Sequence, residues 1–235
     1  MLGFNDISRA DRVIVALDCA KEEALELGVK LQGHAKWMKI GMTLYYAEGP
    51  AIVKAFKDMG YNVFLDLKFH DIPHQVHGAA ASAIASGADM ITMHAVGGTP
   101  MMEVAQEAVS ESGKDVISLA ITVLTSMDEE TLAQTGVNRP IVEQVKALAG
   151  CARTAGLSGV VASPQEAAML RELLGPDAFI VTPGVRPVGA DKGDQSRIAT
   201  PKQAFDNGAS HIVVGRPITK AADPVAAFDA IAAEL

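Results

Sequence analysis

The chain has 235 residues, 49% hydrophobic and 20% charged, with a formal net charge of -8. That length and core content suit one α/β barrel or two small domains, and the acidic balance argues against general binding to nucleic acid or an anionic membrane surface. Two cysteines, Cys19 and Cys151, exclude a disulfide framework and fit a reducing cytosol.

The opening MLGFNDISRADR carries no signal-peptide apolar region, and no apolar run approaches membrane-spanning length, so a cytoplasmic protein is expected. Short runs rich in β-branched residues then alternate with helical stretches. In chain order they are RVIVALD (12–18), WMKIGM (37–42), NVFLDLK (62–68), MITMHA (90–95), ISLAITVL (117–124), GVVAS (159–163), FIVTPG (179–184) and HIVVGRPI (211–218). Each is nearly continuous in apolar residues, as parallel strands covered on both faces are. After the sixth run, SPQEAAMLRELLG offers Ser163 as N-cap, Pro164 at the first helical position, Glu166 for a capping box and Gly175 as the stop. Thr200-Pro201 and Asp223-Pro224 open two later helices in the same way.

Eight such units without a composition break predict an α/β fold: a single (β/α)8 TIM barrel spanning residues 1–235 as one domain. An open doubly wound sheet is the competing arrangement. Against it, VIVALDCAKEE places Asp18 and Cys19 where a dinucleotide-binding fold has glycines, and no Walker-type phosphate loop occurs.

In a barrel, polar residues at strand C-terminal ends converge on one site. Those residues are Asp18, Lys39, Asp66, Lys68, Asp71, His94, Thr125, Ser126, Ser163, Arg186 and Arg216. Singly, each has a plain structural reading: Asp18 or Ser163 as a helix cap, Lys39 snorkelling, Arg186 in a surface ion pair. FLDLKFHDIP (64–73) is harder to read that way. Strand alternation points Asp66 and Lys68 to one face, and Lys39 supplies a second ammonium. A Lys-Asp-Lys-Asp row would satisfy itself and hold both lysines charged.

His70, His74 and His77 have spacings that a helix could use for a metal, but Pro73 separates His70 from that helix and Lys68 would repel a cation. Partly exposed helix histidines are the plainer reading. His94 and His211 read as packed or hydrogen-bonded, and Cys19 as a small buried hydrophobe. TPGVRPVGADKGDQSR after the seventh strand has the length of a lid, with Gln195 as a neutral donor on it. VVGRPI after the eighth brings Gly215 and Arg216 to the place where barrels bind phosphate. A phosphorylated small molecule is the substrate class this favours.

These segments resemble the orotidine 5′-phosphate decarboxylase family over essentially the full chain. The resemblance rests on VALD (15–18), KIG (39–41), DLKFHDIP (66–73), LTS (124–126), TPGVRP (182–187), Gln195 and VGRPI (214–218), with Val185 where many members have Ile. It implies a homodimeric, cofactor- and metal-independent enzyme that converts orotidine 5′-phosphate to uridine 5′-phosphate and CO2. It further implies Lys39, Asp66, Lys68 and the twofold mate's Asp71 as the catalytic row, with Lys68 as proton donor. Asp18 and Lys39 would hold ribose hydroxyls, Ser126 the pyrimidine edge, and the neighbouring subunit's Thr125 the ribose. Arg186, Gln195, Gly215 and Arg216 would bind the 5′-phosphate, Pro183 would pack near the base, and Asp66, Ile72 and Gln75 would join the substrate site. Two other readings share the barrel: a magnesium-dependent sugar-phosphate decarboxylase or synthase with the weaker DxKxxD core, and a barrel that binds nucleotides without turnover.

Overall fold

A computed structural model of the protein describes residues 3–187 and 199–235. Its strands are β1 (Val13–Leu17), β2 (Trp37–Gly41), β3 (Asn62–Phe69), β4 (Met90–His94), β5 (Ile117–Ile121), β6 (Gly159–Val161), β7 (Phe179–Thr182) and β8 (His211–Val214). They pair in parallel in chain order, and β8 pairs back onto β1 to close the barrel. Closure decides against the open sheet. Every strand except β3 ends before its apolar run does, the last four by the most, because the C-terminal ends of those runs leave the ladder for the loops at the rim.

Helices cover the outside: Lys21–Lys30, Met42–Glu48, Pro50–Asp58, Pro73–Ala85, Thr99–Glu111, Glu129–Gln134, Ile141–Thr154, Ala167–Leu174, Pro201–Asp206, Arg216–Thr219 and Pro224–Ala233. Two of the expected helix starts form as read. The Thr200 hydroxyl and the Gln203 side chain make a reciprocal capping box, and the Asp223 carboxylate accepts from Val225 N and Ala226 N. The start at Ser163 needs correction. Residues 164–166 form a turn, and the helix begins at Ala167. Glu166 does reach back to the Ser163 N–H (3.0 Å), but Ser163 Oγ accepts from Gln165 N, two residues on, so the reciprocal pair closes a turn instead of a helix end.

Alternation sorts the side chains of each strand. On β1, Val13, Val15 and Leu17 join the large cluster shared with the helices, whereas Ile14 and Ala16 face inwards with Trp37, Phe64, Met90, Leu119 and Phe179. Phe4 closes the N-terminal end, edge-on to Phe179 at 5.2 Å, with the Arg12 and Arg171 guanidiniums over its ring. His211 stacks on Phe179 and meets Trp37 edge-on, each at 5.6 Å. Burial, reinforced by Arg12, pushes the His211 imidazole down to about 3, so it is a neutral packing group. The bottom of the barrel is therefore sealed, and the open end lies at the strand C-termini.

Candidate active site

One step above the apolar layer, the same inward alternation turns polar: Ala16 gives way to Asp18, Trp37 to Lys39, Phe64 to Asp66 and Met90 to Thr92. Lys39, Asp66 and Thr92 are buried, and Lys68 is partly exposed. Lys68 Nζ donates to Asp66 Oδ2 at 2.8 Å; Lys39 Nζ lies 3.7 Å from the same oxygen and donates to Asp18 Oδ1 at 3.1 Å. Burial alone would raise the Asp66 carboxyl, but the charges of Lys39 and Lys68 and hydrogen bonds from Lys68 and Thr92 hold it below the usual carboxylate range. A carboxylate buried between two ammoniums is the arrangement in which ions survive desolvation, since each charge has its opposite in contact.

Asp66 and Lys68 meet as expected, though not through simple alternation. β3 is in register with β4 at Leu65↔Ile91 and again at Phe69↔Met93, so three residues of β3 oppose the single residue Thr92. Within this bulge Lys68 takes φ 54°, the only positive φ outside glycine among the described residues. The left-handed backbone is what swings Lys68 back towards Asp66.

Asp18, Lys39, Asp66 and Lys68 form one wall of a cavity of about 570 Å³, a size that suits a small-molecule site. Its apolar floor includes Ala16, Phe64, Ile121 and Val213. Thr125, Pro183, Arg186, Gly215 and Arg216 are among the other lining residues. Arg186 is buried and donates through Nη1 to the Val185 carbonyl (2.9 Å), while Arg216 is exposed at the rim. The cavity thus brings a charged row and two guanidiniums together.

Six of the candidate residues are not brought to this cavity, His94 and the buried Ser163 among them. Ile72, Gln75 and Ser126 are exposed and off its lining, and the exposed Asp71 accepts a hydrogen bond from Ile72 N (2.7 Å). Gln195 and most of the expected lid lie outside the described residues. Asp18 is not a helix cap, because Ala20 holds that position. Nor do the three histidines converge. The His70 ring lies 5.5 Å from that of His94, His77 Nε2 approaches Glu111 Oε2 at 3.1 Å, and no His/Cys/Asp/Glu cluster suited to a metal occurs among the described residues. Cys19 is half-buried rather than buried, and burial together with Glu23 pushes its thiol up.

The family model described as Orotidine 5′-phosphate decarboxylase / HUMPS family matches residues 11–231. The chain belongs to this family. It is 49% identical to a protein named Orotidine 5′-phosphate decarboxylase from Moorella thermoacetica, over 96% of this chain and 92% of that one. A protein of the same name from Cutibacterium acnes is also 49% identical, covering 94% of each chain. Among solved structures, the orotidine 5′-phosphate decarboxylase of Lactobacillus acidophilus superposes with a TM-score of 0.85 at 40% identity, covering 95% of this chain and 98% of that one. An uncharacterized conserved protein from Geobacillus kaustophilus superposes with a TM-score of 0.84 at 38% identity, covering 94% of this chain and 99% of its own.

In this member of the orotidine 5′-phosphate decarboxylase / HUMPS family, three residues at the site escaped the sequence reading. Thr92 lies in an apolar run, and only its position opposite the bulge gives it a role. Gly41 follows Lys39 at the next inward position, where a Cβ would stand 3.1 Å from Lys39 Nζ and 3.3 Å from Asp18 Oδ1. The KIG segment held that signal, since a glycine two residues beyond a buried lysine leaves room for the ion pair. Lys220 also lines the cavity and donates to Glu23 Oε1 at 2.6 Å; no pattern in the sequence sets it apart from other helix-end lysines.

Proposed function

We propose that this protein decarboxylates orotidine 5′-phosphate to uridine 5′-phosphate, the last step of de novo pyrimidine (UMP) biosynthesis, without a cofactor or metal. What carries the reading is the Lys39–Asp66–Lys68 row along a cavity that Arg186 and Arg216 also line. Breaking the bond between C6 and the carboxylate leaves an electron pair on C6 with poor delocalisation. A fixed ammonium at that point stabilises the developing charge, and because Lys68 is already oriented, no reorganisation is needed during the step. Lys68 then gives its proton to C6, CO2 departs, and solvent reprotonates the amine.

Asp66, with Asp71 of the twofold mate, keeps Lys68 charged and placed. Asp18 and Lys39 hold the ribose hydroxyls, Thr125, a lining residue of this chain's own cavity, the ribose, and Ser126, next to it in the loop, the pyrimidine edge. Pro183 packs near the base, and Ile72 and Gln75, which lie off this chain's cavity beside Asp71, join the substrate site together with it. Arg186, Gln195, Gly215 and Arg216 grip the 5′-phosphate, whose remote binding energy contributes to the chemical step.

A homodimer is part of this proposal. Five of the eight exposed large apolar side chains among the described residues (Met42, Tyr46, Ile72, Val96 and Leu124) lie just beyond the C-terminal ends of β2 to β5. A rim of that kind supports a second copy as its cover, and it brings Asp71 to the edge of the neighbour's site. One domain over the whole chain and a cytoplasmic location complete the reading.

The test is a spectrophotometric assay of orotidine 5′-phosphate with and without EDTA. Turnover that is equal in both arms is expected. Loss of turnover in EDTA would favour the magnesium-dependent branch of the barrel, and protection by nucleotide without turnover would leave a binding protein.

A further inference from the structure

We infer that Thr92 is a positioning residue for the Asp66–Lys68 pair, its hydroxyl holding both the carboxylate and the left-handed backbone that presents the lysine. The inference deepens the decarboxylase reading and rests on it. Between the pairs Leu65↔Ile91 and Phe69↔Met93, β4 offers only Thr92 against Asp66, Leu67 and Lys68. The Lys68 N–H therefore bonds to a side chain in place of a strand carbonyl: it donates to Thr92 Oγ1 at 3.0 Å. The hydroxyl's own proton goes to Asp66 Oδ1, also at 3.0 Å.

One oxygen thus uses its donor and an acceptor position to tie the two residues together at 0% exposure. With Oδ1 held from β4, Oδ2 is turned towards Lys68 Nζ and Lys39 Nζ. The backbone restraint matters equally, because φ 54° at a lysine persists only when its surroundings fix it. The other buried strand-end threonines do something different. Thr122 donates to the Val161 carbonyl at 2.9 Å, and Thr182 Oγ1 has no hydrogen-bond partner. Among the described residues, Thr92 is the buried threonine whose hydroxyl contacts a charged member of the row.

Thr92→Val keeps the shape and removes both bonds, so it separates positioning from packing. The expected result, in folded protein, is a kcat for orotidine 5′-phosphate about 10- to 100-fold lower, with KM and the affinity for uridine 5′-phosphate within about threefold of wild type. Thr92→Ser restores the hydroxyl and should bring kcat back to within about threefold. If the valine variant fails to fold, Thr92→Ala makes the same comparison without any risk of overpacking. A folded Val or Ala variant with kcat within about twofold of wild type overturns the inference, as does a serine variant as slow as the valine one, or a loss confined to KM. Wild-type protein without decarboxylase activity would instead sink the functional reading beneath it.

Discussion

Asp66 is the residue on which the site turns. It is buried, it touches both lysines, and those cations overcome the burial that would otherwise neutralise it. Removing a guanidinium from the cavity rim should have a different signature. Arg216→Ala is expected to lower kcat/KM for orotidine 5′-phosphate by about 10- to 100-fold, mainly through KM, because a charge-assisted contact to phosphate is lost while the charged row is untouched. Steady-state kinetics with the phosphorylated substrate checks this, and an unchanged KM removes Arg216 from the phosphate grip.

His211 makes a prediction about stability rather than activity. Its folded value is pushed from 6.5 down to about 3, so the unfolded chain takes up a proton that the folded one refuses. The stability this group contributes is complete above the unfolded value and is lost as pH falls from about 6.5 towards about 3. At about pH 5 that amounts to about 2 kcal/mol. Denaturant titrations across this window should show the decline, and His211→Gln should flatten it. At this scale the charged residues were legible in the sequence, because charge in an apolar run is conspicuous. Thr92 was not, since a threonine in a strand looks like any β-branched residue until the register places it opposite a bulge.

Among the elements, all eight strands could be read from their apolar runs, because a parallel strand buried on both faces carries the signal in nearly every residue. Their ends could not. Where a ladder stops depends on the neighbouring strand, which is why seven of the eight runs extend past their strands. The bulge in β3 belongs to the same class: a shift of register is a property of two strands, and FLDLKFHDIP alone contains no trace of it. Ser163 shows that a capping pattern read three residues apart can close a turn before the helix begins.

β6 offers a direct test of strand packing. A Cβ on Gly159 would overlap the backbone carbonyl of Phe179 on β7. Gly159→Ala is therefore expected to lower stability by about 2 kcal/mol or more, measured by denaturant unfolding. Wild-type stability in that variant would mean that the β6–β7 contact can open at no cost.

For the molecule as a whole, the barrel separates stability from chemistry: aromatic packing seals the bottom, and the charges gather at the mouth. A single chain supplies Lys39, Asp66 and Lys68 but leaves Asp71 facing outwards beside an apolar rim. If two copies share their sites, Lys68→Ala and Asp71→Ala variants, each inactive alone, should regain activity on mixing and reassociation. Random pairing makes about half of the dimers mixed, each with one intact site, so recovery approaches about a quarter of wild type. No recovery in a mixture shown to exchange subunits would place Asp71 outside the partner's site.

The most direct measurement compares Lys68→Ala with wild type in the orotidine 5′-phosphate assay, with uridine 5′-phosphate binding recorded alongside to show that the cavity is intact. If the Lys68 ammonium both stabilises the developing charge and supplies the proton, turnover falls by at least about 10⁴-fold with nucleotide binding retained. A variant that still binds nucleotide and decarboxylates within about tenfold of wild type would contradict that role.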